Sequence, residues 1–106
     1  MMPFELLPEA ALEIREGIEY FDKEPPGKGV EFREAVYETI AFLRRFPKIG
    51  RARSCGARTR RVSGFEYMIA YEIFDSFIYV DRPNEVIVVA FAHDHRKPGY
   101  WKKRLK

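Results

Sequence analysis

The chain holds one cysteine and two histidines among its 106 residues. A single thiol excludes an internal disulfide, and Cys55, although flanked by cations in RARSCGAR that favour a thiolate, has no nucleophile signature around it. His93 and His95, in HDH, fall short of the three or four ligands that zinc requires, so no metal site is expected. No apolar run approaches the roughly 18 residues of a membrane span, and MMPFELLPEA lacks the basic start and long apolar stretch of a signal peptide. No membrane association is expected, and the cytoplasm is the expected location. A phosphate-cradling glycine loop, paired-cysteine spacing and a nucleophile elbow are all absent, which argues against nucleotide hydrolysis and acyl transfer. No cofactor is expected.

What the chain does have is a balance of 46% hydrophobic and 33% charged residues, the composition of a folded globular protein. Its length suits one domain over residues 1–106. The net charge of +3 conceals a division. Acidic side chains outnumber basic ones from Met1 to Phe46, and from Pro47 onward lysine and arginine dominate. A basic half is the footprint of a protein that meets phosphates or an acidic partner, although it also serves solubility.

Hydrophobic spacing supplies the elements. After the short apolar lead PFELL, Pro8 and Glu9 read as the first turn of a helix, because proline is tolerated there and an acid suits the positive end of the dipole. Ala11, Ile14, Ile18 and Phe21 recur at helical steps, with Glu9, Glu13, Glu16 and Glu19 on the other side. DKEPPGKG ends that helix in a reversal. A second helix is predicted from Val30 to Phe46, with Phe32, Val36, Ile40 and Leu43 on one face and Pro47 closing it. PKIGRARSCGART reads as an exposed loop. Strands are predicted over Thr59–Ser63, FEYMIAYEIF and VIVVAFA, with SFIYV extending or following the second and DRPNE reversing the chain. The last strand shows no alternation, so it is expected to be buried on both faces. Helices first and strands afterwards imply an α+β layer, a short N-terminal strand and a helical hairpin packed on a mainly antiparallel sheet.

These pieces, in this order, resemble the RelE/ParE superfamily of bacterial toxin-antitoxin systems. The resemblance rests on A..EI.E..EYF, PPGKG, EF..AV..TI..L..FP.IG, RR...FEYMIAYEI and VVAFAHDHRKPGYW, and spans nearly the whole chain. Two local departures are Asp94-His95, where related sequences usually have a small residue and an arginine, and a longer SFIYVDRPN segment. The resemblance implies the toxin of a type II, plasmid-stabilisation module, neutralised by a cognate antitoxin. It leaves two targets open. ParE-like toxins act on DNA gyrase, and RelE-like toxins are metal-independent endoribonucleases that cut messenger RNA on the ribosome. TIAFLRRFPKIG in a long hairpin favours the ParE-like branch, and a non-toxic RNA-binding or partner-binding relic is a third reading.

Cutting RNA needs a base, an acid and a cation on the phosphate. By position Arg61 matches an arginine that the RelE branch uses on the scissile phosphate, and Arg96 or His95 falls where that branch places another cation. The candidate catalytic set is therefore Arg61, His95 and Arg96, with either imidazole able to move a proton near neutral pH. His93, Tyr100 and Trp101 are candidate supporting residues, although a strand-end histidine can serve only to bond backbone and aromatics after Pro98-Gly99 can simply pack. Lys48, Arg51, Arg53, Arg58, Arg60 and Lys97 are candidate contacts to phosphate or nucleic-acid backbone.

Overall fold

Pro8 opens the first helix, as its fixed φ and missing N–H suit a first turn. The computed structural model describes residues 2–23, 26–74 and 84–105. Strand β1 (Phe4–Leu6) precedes helix α1 (Pro8–Asp22), and α2 (Lys28–Arg45) follows. Gly27, at φ 89°, caps the start of α2 in a left-handed conformation that suits glycine. Four strands come next: β2 (Arg51–Ala52), β3 (Arg58–Arg61), β4 (Tyr67–Phe74) and β5 (Glu85–His93). The sheet order is β1-β5-β4-β3-β2, antiparallel except where β1 runs parallel to β5.

The predicted α+β layer of a helical hairpin on a mainly antiparallel sheet is what the structure has. Phe32, Val36, Ile40 and Leu43 are buried as the periodicity predicts. The loop expected over PKIGRARSCGART is more ordered than its composition suggests, with a 3-10 turn at Pro47–Ile49 and the two-residue strand β2. Backbone pairing to β3, Arg51 opposite Thr59 and Ala52 opposite Arg58, creates that order. The strand expected over SFIYV and the turn at DRP lie outside the described residues.

Strand β5 shows no alternation because both its faces are covered, and a bulge sets which residues meet which face. Ala70 pairs with Ala90 but Tyr71 pairs with Val88, so β5 carries one extra residue at that point. Val86, Val88 and Phe91 consequently join Ile69, Tyr71 and the helices in one core, whereas Val89, Ala90 and Ala92 turn to the opposite face. There the bed of Ala57, Ala70, Ala90 and Ala92 is covered by Trp101 of the C-terminal segment, not by a helix. Small residues leave room for that indole against the sheet.

One expectation for α1 is corrected. Glu13, assigned to the solvent side with Glu9, Glu16 and Glu19, is buried beside Ala10, Ile14 and Gly17. The stripe of α1 that meets the hairpin and sheet is rotated toward Glu13, because a partner for its carboxylate arrives from the far end of the chain.

Candidate functional site: an arginine groove beside a histidine-bearing strand end

Between Glu38 and Glu66 the chain carries eight cations and no acid. The fold gathers half of them. The β2–β3 hairpin sets Arg51 opposite Thr59, and Arg53 continues the pairing through its N–H to Ala57 O at 2.9 Å. Arg51, Arg53, Arg60 and Arg61 line an open groove of about 630 Å³ with Thr59 and Ser63. Arg53 is held across its floor, with Nε donating to Thr59 Oγ1 at 2.9 Å and Nη2 to Met68 Sδ at 3.7 Å. Arg60 places its guanidinium over the Phe42 ring, 5.2 Å from the centroid.

Arg61 lies at the end of β3, where its Nη2 meets Asp94 Oδ2 at 2.5 Å. Asp94 is fixed by its own N–H, which donates to Glu66 O at 2.9 Å. The Arg61 side chain is still 62% exposed, and among the described residues Asp94 takes only one of its five donors. His93 ends β5 opposite Tyr67 and packs edge-on to that ring at 5.1 Å. His95 in turn packs on His93 at 4.7 Å, and the His95 N–H donates to His93 Nδ1 at 3.0 Å. Arg96 folds elsewhere, its guanidinium 4.0 Å from the Tyr100 ring centre. Among the described residues no hydrogen bond or ion pair joins Arg61 to His95 or Arg96. The candidate catalytic trio thus shares one end of the sheet through Asp94 and the chain from 93 to 96, but its members are engaged with separate partners.

The other candidates divide. Lys48 and Lys97 are exposed and stand outside the groove lining. Arg58 is used locally, donating through Nη1 to Lys48 O at 3.1 Å and Gly50 O at 2.9 Å, which ties β3 to the turn after α2. Trp101 is buried in the second core. Tyr100 belongs to a buried network that sequence reasoning missed. Strand β1 ends at Leu6, so beyond Val88 the β5 edge has no strand neighbour on that side among the described residues. Glu13 Oε1 accepts the Phe91 N–H at 3.1 Å, and Arg104 Nη1 donates to Val89 O at 3.1 Å. Arg104 Nη1 also reaches Glu13 Oε1 at 2.8 Å, and the Tyr100 hydroxyl donates to Glu13 Oε2. Side chains here replace the strand that is too short to continue.

Burial first, then the hydrogen bond and charge of Glu13, push the Tyr100 hydroxyl well above the ordinary phenol value of 10.0. Burial would lower the Arg104 pKa, but the Glu13 hydrogen bond and charge outweigh it and the net direction is up. A raised folded-state pKa means the native protein keeps a proton that the unfolded chain releases. The resulting stability is full below about pH 10 and is lost as pH rises beyond it, by about 1.4 kcal/mol per unit for one such group. Urea midpoints measured from pH 9 to 11 are expected to fall, and Tyr100→Phe is expected to flatten that fall. Burial also raises Tyr67 and Tyr71, so some slope persists in the variant.

Two further aromatics also escaped sequence reasoning. Phe42 and Phe46 sit one helical turn apart at the end of α2, 39% and 52% exposed, with rings 5.2 Å apart. The signal existed in the sequence for Phe42, which lies two residues from Ile40 and one from Leu43 and so falls off the face they define. Ile49, 47% exposed, carries this apolar rim into the groove lining. A smaller groove of about 250 Å³ is lined by Leu6, Ala11, Ile14, Arg15, Ile18 and Tyr37. Among the described residues no helix is long and apolar enough to cross a membrane, and no group of three or more His, Cys, Asp or Glu side chains is placed to hold a metal ion.

No curated protein matches this sequence. A solved structure described as the chromosomal ParDE TA system from P. aeruginosa is similar to it with a TM-score of 0.70 and 13% identity, over 88% of this chain and 96% of that one. At that identity the likeness speaks for the fold. A family model described as the ParE toxin of the type II toxin-antitoxin system parDE matches residues 4–98. A match over nearly the whole chain, on a hairpin-and-sheet fold shared with that structure, places this protein in the ParE toxin family of type II toxin-antitoxin systems.

Proposed function

We propose that the protein arrests growth by inhibiting DNA gyrase, without cutting RNA, and is held inactive by a cognate antitoxin. The observation that carries this reading is the engagement of Arg61 with Asp94 while Arg96 lies over Tyr100. A ribonuclease would need the cations and a proton-transferring imidazole to converge on one phosphate. In this fold the strand-end histidines stack on Tyr67 and on each other, an arrangement suited to a fixed surface. The antitoxin seat is the apolar groove of the hairpin bordered by Ile14, Ile18 and Tyr37, which has the form that takes an amphipathic helix. The ParDE description of the similar structure supports a partner of that kind.

The test sets purified protein against gyrase supercoiling a plasmid and, separately, against ribosomes carrying a defined message. Blocked supercoiling with intact message, reversed by the product of the neighbouring reading frame, is the expected result. Message cleavage that His95→Ala or Arg61→Ala abolishes would replace this reading with the endoribonuclease.

A further inference from the structure

The arginine groove shares no lining residue with the proposed antitoxin seat. We infer that it binds a single nucleic-acid strand, with phosphates on the arginines and bases on the Phe42–Phe46 rim. Three features point to that ligand. The first is charge of one sign without interruption: Arg51, Arg53, Arg60 and Arg61 line the groove, and Asp94 at its far end is the only carboxylate paired with any of them among the described residues. The second is regular spacing. Arg51 and Arg53 stand two residues apart on an extended segment, about 6.6 Å along it, a step that suits successive phosphates. A peptide would need an acid at every second position to match it, whereas a phosphodiester backbone supplies one charge per unit throughout. The third is the rim itself. Phe42 and Phe46 expose ring surface, and Arg60 joins rim to groove by lying over Phe42. A basic track with aromatic platforms is the arrangement that holds unpaired bases, which duplex DNA keeps stacked inside.

Preorganisation strengthens the case. Arg53 is tied to Thr59 and Met68, Arg61 to Asp94, and Arg60 to Phe42, so three of the four guanidinium groups are already placed before a ligand arrives. The Arg51 side chain makes no hydrogen bond or ion pair among the described residues, and the residue is exposed. The Thr59 and Ser63 hydroxyls add neutral donors along the same wall.

The experiment is fluorescence anisotropy of the full chain with labelled 12-nucleotide oligodeoxyuridylate and oligouridylate, and with a duplex of equal length. Unlabelled polyglutamate of equal charge is the competitor. No gyrase is present, so the outcome is independent of the reading above. Single strands are expected to bind more tightly than duplex, and comparison of the two oligomers tells whether the 2′-hydroxyl contributes. Arg51→Gln combined with Arg60→Gln should weaken binding at least about tenfold at 0.1 M salt and reduce the salt slope by about 1.4, because two phosphates are no longer neutralised. Phe46→Ala should weaken strand binding by at least about fivefold and leave inorganic polyphosphate binding unchanged. These positions are exposed, and an unshifted thermal melt confirms that the variants fold. Efficient displacement by polyglutamate, or indifference to Phe46→Ala, would overturn the inference and assign the groove to an acidic protein segment. Absence of strand binding at low salt would overturn it outright.

Discussion

Glu13→Ala is expected to cost about 3–5 kcal/mol, the largest loss from any single charged residue, because it strands a buried cation. Glu13 and Arg104 have side chains only 9% and 13% exposed, and the carboxylate accepts from Arg104, Tyr100 and the Phe91 N–H together. Removing it leaves the Arg104 guanidinium with Val89 O as its remaining acceptor, and leaves the Phe91 N–H facing no strand. The C-terminal segment would loosen from the sheet, exposing the alanine bed beneath Trp101. Urea denaturation of the single variant, of Arg104→Ala and of the double variant measures the coupling. The double variant should cost less than the sum of the singles by about 1–3 kcal/mol, since the second change removes the charge that the first left unpaired. An additive double variant, or a Glu13→Ala loss below about 1 kcal/mol, would show that β5 does not depend on this network.

How far the fold was legible follows from which signals are local. Helix α2 was readable because Phe32, Val36, Ile40 and Leu43 define its buried face by spacing alone. Strand β5 was readable as doubly buried, but its bulge was not, since the register shift opposite Ala70 and Tyr71 belongs to the pairing of two strands. Glu13 was misplaced for a similar reason: helical periodicity grouped it with three other glutamates, and its partner lies 91 residues away. At the site, strand pairing sets Arg61 opposite Met68 and His93 opposite Tyr67, at one end of the sheet. Their separate engagements, Arg61 with Asp94 33 residues away and His93 with the Tyr67 ring, join distant parts of the chain that no short motif links. Arg58 was grouped with the surface arginines because sequence cannot tell a cation that faces solvent from one that closes a turn on Lys48 O and Gly50 O.

The second large effect is expected at Phe32, which is fully buried at the centre of a chain of rings. Its ring lies 4.9 Å from Phe21, 5.1 Å from Phe65 and 4.9 Å from Tyr67, and Tyr67 carries His93, on which His95 packs. Phe32→Ala removes the aromatic that joins both helices to β4 and opens a cavity that the sheet cannot close, at an expected cost of about 3–5 kcal/mol. For a chain of this length that lowers the melting temperature by more than about 12 °C. The exposed Phe46→Ala, by contrast, should shift stability by no more than about 0.5 kcal/mol. Gly17 tests the same contact from the other side. A Cβ there would come 2.6 Å from Phe32 Cε2, so Gly17→Ala crowds the ring against Tyr67 in place of emptying its site. If the histidines owe their placement to this stack, histidine side-chain NMR shifts will move in Gly17→Ala while the protein stays folded. Unmoved shifts would mean that the strand end is set by the backbone of β5 and the Arg61–Asp94 pair alone.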